Sequence, residues 1–366
     1  MTRHSLPLPT TSPRSSPSDT ARLFPLDLLK AISIVAVVSF HSLFLPASAV
    51  QPYQGILDTL FAPLRFCVPV LLTISFMLLQ RSLQRSGQGD RTTLLKKRLG
   101  RLAIPTLFWF SVAALLRHLG GAPLGKPLLQ GYIFPGAYYL IVMLLVVPWV
   151  IWRSRPISTR TVLILTLLQG LFFIGLKVIL AHPGWSPLAD LLALPGRSLP
   201  LYWFAYVAMG RYLGDRYDAL VQISQRLPSL CKIGLLATLW LSTTLEYHHL
   251  QSLTQGPVAP FEYGLLSCLL SVPIGFLCLA SLQPSQLPLA LGRLVQVLSR
   301  YSLGIFCTNG ILSLVLLQAV EHWNPEIPPQ LTTLIAIKGI GWVSLLGLSL
   351  ALAMALDRSR LRGCIR

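Results

Sequence analysis

The sequence predicts an all-α fold, a polytopic membrane helical bundle of about ten transmembrane helices with N- and C-termini cytoplasmic. Three observations predict it. Of 366 residues, 53% are hydrophobic and only 11% charged, and the mean hydropathy is +0.64, whereas a soluble domain carries roughly 25% charged residues. Apolar runs of spanning length, about 17 to 25 residues, recur evenly, near 28–46, 62–80, 102–119, 137–152, 161–181, 199–213, 229–246, 263–282, 300–320 and 331–355. Lys and Arg collect in alternate connections, as the positive-inside rule requires. Of the 30 basic residues, only Arg65, Arg117, Lys126, Lys177, Arg197 and Lys338 fall on the outer side or in the outer part of a span. Lys177 and Lys338 are expected there to snorkel to the interface. Acidic residues divide evenly between the two sides, so the bias belongs to Lys and Arg alone.

No polar block is long enough to form a separate folding unit, so residues 21–357 read as one transmembrane domain. Residues 1–20, rich in Ser, Thr and Pro with no apolar core, read as a disordered cytoplasmic tail and not as a cleaved signal. Residues 358–366 read as a basic cytoplasmic tail. The net charge of +18 does not mark a nucleic-acid binder, because the cations alternate with the spans and are not gathered on one soluble face. Cys67, Cys231, Cys268, Cys278, Cys307 and Cys364 are scattered, with no CxxC pair, and read as small buried hydrophobes, not as a metal site or disulfide framework. The outer loops, including HPGWSP from His182 and EYHHLQS from Glu246, are too short for an external catalytic domain. No internal repeat is visible, which weighs against a transporter. Neither metal-ligand spacing nor a phosphate-binding glycine loop is present.

Chemistry concentrates in two stretches. The first is DLLKAISIVAVVSFH, from Asp27. If this stretch is one helix throughout, Lys30 and His41 lie about three turns and roughly 16 Å apart on nearly the same face. Lys30 then sits at the interface and His41 within the membrane, where an ionisable group is costly and usually functional. The alternative is a histidine merely hydrogen-bonded in a packed interior. The second stretch is KKRLGRLAIP, Lys96 to Pro105. Arg98 and Arg101 are spaced i, i+3 on one helix face, and guanidinium groups grip phosphate oxygens bidentately. The alternative is a topology anchor that attracts anionic lipid. Taken together, Lys30, Arg98 and Arg101 are placed to hold a phosphate-bearing cofactor at the inner surface while an arm of it extends towards His41.

Other polar groups read less sharply. Glu246, His248 and His249 are a solvated loop or help to orient an acceptor or His41. Asp27 pairs with Lys30 or Arg22. Ser75, Tyr139 and Asn309 join helices.

The chain resembles the acyltransferase type 3 family of integral membrane O-acyltransferases, which modify cell-surface polysaccharides and other exported acceptors. Four stretches carry the resemblance: DLLKAISIVAVVSFH from Asp27, FCVPVLLTIS from Phe66, KRLGRLAIP from Lys97 and RYSLGIFCTNG from Arg300. YYLIVMLL from Tyr138 and YWFAYVAMGRYLG from Tyr202 lend weaker support. The resemblance covers nearly the whole chain. It implies a cytoplasmic acyl-CoA donor, most simply acetyl-CoA, with His41 as the essential histidine and the Arg98–Arg101 pair as part of the donor site. It also implies a glycan or other exported acceptor, O-acylated at the cell surface, and a bacterial inner (plasma) membrane embedded in lipid. Imidazole suits a general base at the acceptor hydroxyl; an acyl-histidine intermediate is the variant. The chain departs from the family in four places. Lys30 stands where many members have Arg, Phe76 follows Ser75 where Gly is usual, and Phe306 replaces Tyr. Asn309 and Gly310 replace a common His-Pro, so that the chain either does without that histidine or uses Asn309 as a neutral hydrogen-bonding substitute. A polysaccharide exporter or flippase-like protein is the rival reading, in which His41 and the arginines line a transport path. A catalytically lapsed member is the third.

Overall fold

A computed structural model describes residues 23–86, 91–153, 155–254, 258–323 and 330–365. The tail expected over 1–20 lies outside the described residues. Among those residues the fold is all helix, with no strand. Eleven principal helices follow in order: α1 (Phe24–Ser39), α2 (Cys67–Ser86), α3 (Arg91–Leu119), α4 (Tyr138–Trp152), α5 (Thr159–Ala181), α6 (Phe204–Arg226), α7 (Ser229–Thr254), α8 (Leu266–Leu279), α9 (Leu289–Arg300), α10 (Ser302–Trp323) and α11 (Leu331–Asp357). Each expected apolar segment carries one of these helices. Five helical stretches, Ser48–Arg85, Arg91–Leu119, Thr159–Ala181, Ser302–Trp323 and Leu331–Asp357, are long and apolar enough to cross a membrane by length and composition. Tyr138–Trp152 and Leu266–Leu279 are apolar but shorter. Helix α6 runs well past its apolar part into the polar stretch that ends at Arg226, with a kink at Arg216.

Helix α1 lies at the centre. Its sequence is apolar around its whole circumference, the pattern of a buried helix, and α2, α8, α9, α10 and α11 all pack on it. Helix α9 lies outside the ten apolar runs, because at 12 residues it is too short to read as a span. It is amphipathic: it lays Val295, Leu298 and Ser299 inward and leaves Arg293 and Gln296 outward. Ser299 Oγ donates to Asp27 Oδ1 at 2.5 Å, tying it to the start of α1.

The end of α1 corrects the first expectation. The helix stops at Ser39, and Phe40 and His41 turn their N–H groups back to the carbonyls of Val37 and Val38 at 3.2 and 3.1 Å, a tightened last turn. The α-helix therefore ends two residues short of His41, which lies in the turn that follows. Lys338 of α11 does not snorkel: it is buried and donates from Nζ to Ser39 O at 2.8 Å. Nearby, Trp342 Nε1 donates to Val35 O at 2.9 Å and Ser313 Oγ to His41 O at 3.2 Å. Two side chains of α11 thus bond to carbonyls of α1, and one of α10 holds the turn that follows it. Lys177 does not snorkel either. It pairs with Glu246, whose carboxylate also accepts the backbone N–H groups of Leu266 and Ser267 at 2.7 and 2.8 Å. Glu246 is accordingly an anion at the N-terminus of α8, not a solvated loop residue, while His248 and His249 are exposed. After α11 the chain folds back through Arg360–Cys364, and Trp109 Nε1 of α3 donates to Cys364 O at 2.8 Å.

Candidate active site

Two cavities lie along α1, one towards each end. The first, of about 410 Å³, brings together Lys30 of α1, Arg98 and Arg101 of α3, and Arg300 at the end of α9. The helix spacing read from KRLGR holds, since Arg98 and Arg101 face the same space. Arg98 Nη2 donates to Ser82 Oγ at 2.8 Å, which aims its fork from α3 towards α2. Arg300 lies 3.7 Å from the carboxylate of Asp357, which also accepts the Tyr301 hydroxyl at 2.9 Å. Leu71, Leu78, Leu79, Met143 and Val147 give the same cavity an apolar wall. Ile365, at the end of the folded-back segment, completes its lining. Four cations rim a slot that is greasy along its side, a chemistry suited to a polyanion with an apolar arm.

The second cavity, of about 360 Å³, holds His41. Charged residues reach it from segments far apart in sequence: Asp58, Arg65, Arg117, Arg197 and Glu262. Arg197 pairs with Glu262, and Arg65 Nη1 lies 4.0 Å from the same carboxylate. The Arg65 guanidinium is also clamped between rings, 4.9 Å from the centroid of Phe40 and 4.6 Å from that of Tyr247, and it donates to the Tyr247 hydroxyl at 3.1 Å. Arg197 sits 4.6 Å over the Tyr132 ring. Glu262 is 2% exposed and Arg65 9%. Such charges persist in an apolar setting only when paired, and here a carboxylate lies between two guanidinium groups. The His41 ring makes no side-chain hydrogen bond among the described residues and lines the cavity, so it faces space and not a structural partner.

By sequence Arg65 and Arg197 count only as outer-side cations, and neither Glu262 nor Arg300 stands out as a site residue. A sequence signal existed for Glu262, a single acid in the otherwise uncharged run from Val258 to Leu282, because an unexplained charge beside a span asks for a partner.

Phe306 of α10 lines both cavities. Its ring contacts Tyr139 at a centroid distance of 5.3 Å, and Tyr139 reaches Ser75 of α2 across 3.0 Å. This links α2 and α4 as expected of those two residues. Asn309 behaves differently: it is fully buried and neither side-chain atom has a hydrogen-bond partner among the described residues. Gly310 has a reason to be small, since a Cβ there would come 2.5 Å from Phe134 and 2.7 Å from Pro135 O. Phe76 is accommodated by Gly210 of α6, where an added Cβ would stand 3.0 Å from that of Phe76.

A family model described as an acyltransferase domain matches residues 25–358. The chain belongs to the acyltransferase type 3 family. No curated protein and no solved structure matches it. Family membership and the five helices of spanning length make this acyltransferase-family chain an integral membrane protein and place its activity class as acyl transfer.

Proposed function

We propose that this acyltransferase moves an acyl group, acetyl in the simplest case, from cytoplasmic acyl-CoA to a hydroxyl of a cell-surface or exported glycan, with His41 as general base. The observation that carries the reading is the arrangement of the two cavities. Lys30, Arg98 and Arg101 share one, His41 lines the other, and Phe306 belongs to both. The residues fit the donor. Lys30, Arg98, Arg101 and Arg300 would hold its phosphates, and the apolar wall of Leu71, Leu78 and Met143 would shield its arm. When bound, acyl-CoA supplies an activated thioester. His41, on the far side of Phe306, takes the proton of the acceptor hydroxyl as the oxygen bonds to the acyl carbon and the carbon–sulfur bond breaks; the proton then passes to the departing thiolate. The Arg65–Glu262–Arg197 cluster flanks the space an acceptor would enter and keeps it polar. In this reading the cation cavity opens to the cytoplasm and the His41 cavity to the outer side of a bacterial inner membrane, with both termini inside and ten crossings. Family membership gives the exporter reading no support.

Purified protein assayed for acyl-CoA binding and thioester consumption tests this. His41→Ala lowers turnover by roughly 10²–10⁴-fold, the usual worth of a positioned acid-base group, with donor binding retained. Arg98→Gln with Arg101→Gln weakens donor binding by about tenfold or more, as expected for charge-assisted phosphate contacts. Undiminished transfer by the His41 variant sinks the base assignment, and unchanged donor affinity in the double variant returns the arginines to topology anchors.

A further inference from the structure

We propose that Phe306 is the specificity determinant for the acyl group, a partition between the two cavities that admits a short acyl tip and excludes longer chains. The inference rests on the acyl-transfer reading above and deepens it. The boundary between the cavities is narrow in sequence as well as in space: Tyr138 lines the His41 side and its neighbour Tyr139 the cation side. Phe306 alone of the α10 residues reaches both, and it is only 3% exposed.

The ring has little freedom. Gly136, at φ +89°, brings backbone against it so closely that a Cβ there would stand 2.9 Å from Phe306 Cζ and 3.3 Å from Cε2. Only glycine takes that backbone conformation without strain. On another side is the Tyr139 ring, itself anchored. Ser75 Oγ gives its proton to Leu71 O at 2.9 Å, so the 3.0 Å contact with Tyr139 is a bond that the tyrosine hydroxyl donates. Helix α10 cannot move closer to the loop that carries Gly136, because Gly310, one turn beyond Phe306, is already pressed onto Phe134 and Pro135. Arg117 secures that same loop by donating to Ile133 O at 2.6 Å and Tyr132 O at 3.1 Å. An acyl tip that travels from the cations to His41 must therefore pass beside a ring whose neighbours are fixed. Close-packed interiors resist even one added methylene, and a tight apolar site discriminates by about 10–200-fold per methylene.

The test compares full-length wild-type protein with Phe306→Ala and Phe306→Leu, all in detergent micelles, by release of free CoA thiol from acetyl-, butanoyl- and octanoyl-CoA. The expected result is a butanoyl-to-acetyl ratio of kcat/KM at least tenfold higher in Phe306→Ala than in wild type, with Phe306→Leu between them and binding of free CoA unchanged. The leucine variant preserves most of the buried volume and carries the test if the alanine variant does not fold. A ratio that stays at the wild-type value in the folded variants, while acetyl-CoA is still consumed, overturns this inference alone. Wild-type protein that neither binds nor consumes any acyl-CoA overturns the function reading and the inference with it.

Discussion

Lys338 shows how one side chain can act on a site without lining it. Its ammonium group closes the carbonyl end of α1 at Ser39, two residues before His41, and also lies 4.4 Å from the centroid of Phe61. A cation at a helix C-terminus is favoured both by the free carbonyls and by the helix dipole, which offsets the cost of burying it. Lys338→Met removes a charge-assisted hydrogen bond worth about 1.5–3 kcal/mol, but it also removes a buried charge whose desolvation opposes folding. The variant is therefore expected to remain folded and to lose no more than about 2 kcal/mol. The turn that presents His41 loses its tether, and displacements on the order of 1 Å cost roughly a hundredfold in rate. Steady-state kinetics should show kcat falling by about tenfold or more with KM for acyl-CoA unchanged, because the cation cavity is untouched. A rise in KM with kcat intact would show instead that Lys338 serves the donor side.

At the scale of elements, the cation cavity depends on how closely α6 approaches α2. Gly210 and Gly214 are spaced as GxxxG, and a Cβ at either would strike α2 backbone, 2.4 Å from Thr73 O at the first and 2.9 Å from Met77 O at the second. Small residues at this spacing let helix backbones meet inside a membrane, where apolar side chains gain little from leaving lipid. Arg211, between them, is buried and donates to Gln80 Oε1 of α2 at 3.2 Å and to the carbonyls of Arg153 and Arg155 at 2.7 and 2.6 Å. The same contact seats α2, which brings Leu71, Ser75, Leu78 and Leu79 to the cavity. Gly210→Leu overfills this contact and should destabilise by about 1–3 kcal/mol or more, read as a lower thermal midpoint in detergent together with weaker acyl-CoA binding. Gly234 of α7, where a Cβ meets nothing within 4 Å, is the control: Gly234→Leu should leave both unchanged. Equal effects of the two substitutions would remove the packing argument.

Over the whole molecule, the two cavities give the acyltransferase a direction, and the direction is measurable. Cys231, in the first turn of α7 beside Lys232, is exposed, while Cys67, Cys268, Cys278, Cys307 and Cys364 are buried. In the proposed topology this turn is cytoplasmic. A membrane-impermeant maleimide should therefore label Cys231 in inverted membrane vesicles and leave it unlabelled in intact cells whose outer surface is made accessible. The reverse pattern would turn the cation cavity outward, away from any cytoplasmic donor, and end the proposed route.

Much of the arrangement is legible in the chain because it is local. Helical phase alone puts Arg98 and Arg101 on one face, and low charge with evenly recurring apolar runs writes a helical membrane fold. Family motifs mark His41 and the arginines before any coordinates exist. What stays hidden is whatever depends on residues distant in sequence. Helix periodicity does not reveal that α1 ends at Ser39, where Lys338 and Trp342 of α11 donate to its carbonyls and Ser313 of α10 to that of His41. Arg65, Arg197 and Glu262 looked like unrelated outer-loop charges until folding placed a carboxylate between two guanidinium groups. The sequence by itself determined the class of fold, which follows from composition and recurring apolar runs, and it marked the candidate base and three of the four cations through helical spacing and the family motifs. Only the tertiary structure decided that they occupy two cavities meeting at Phe306, because burial, ion pairing and the closeness of backbones are properties of pairs that no single stretch of chain contains.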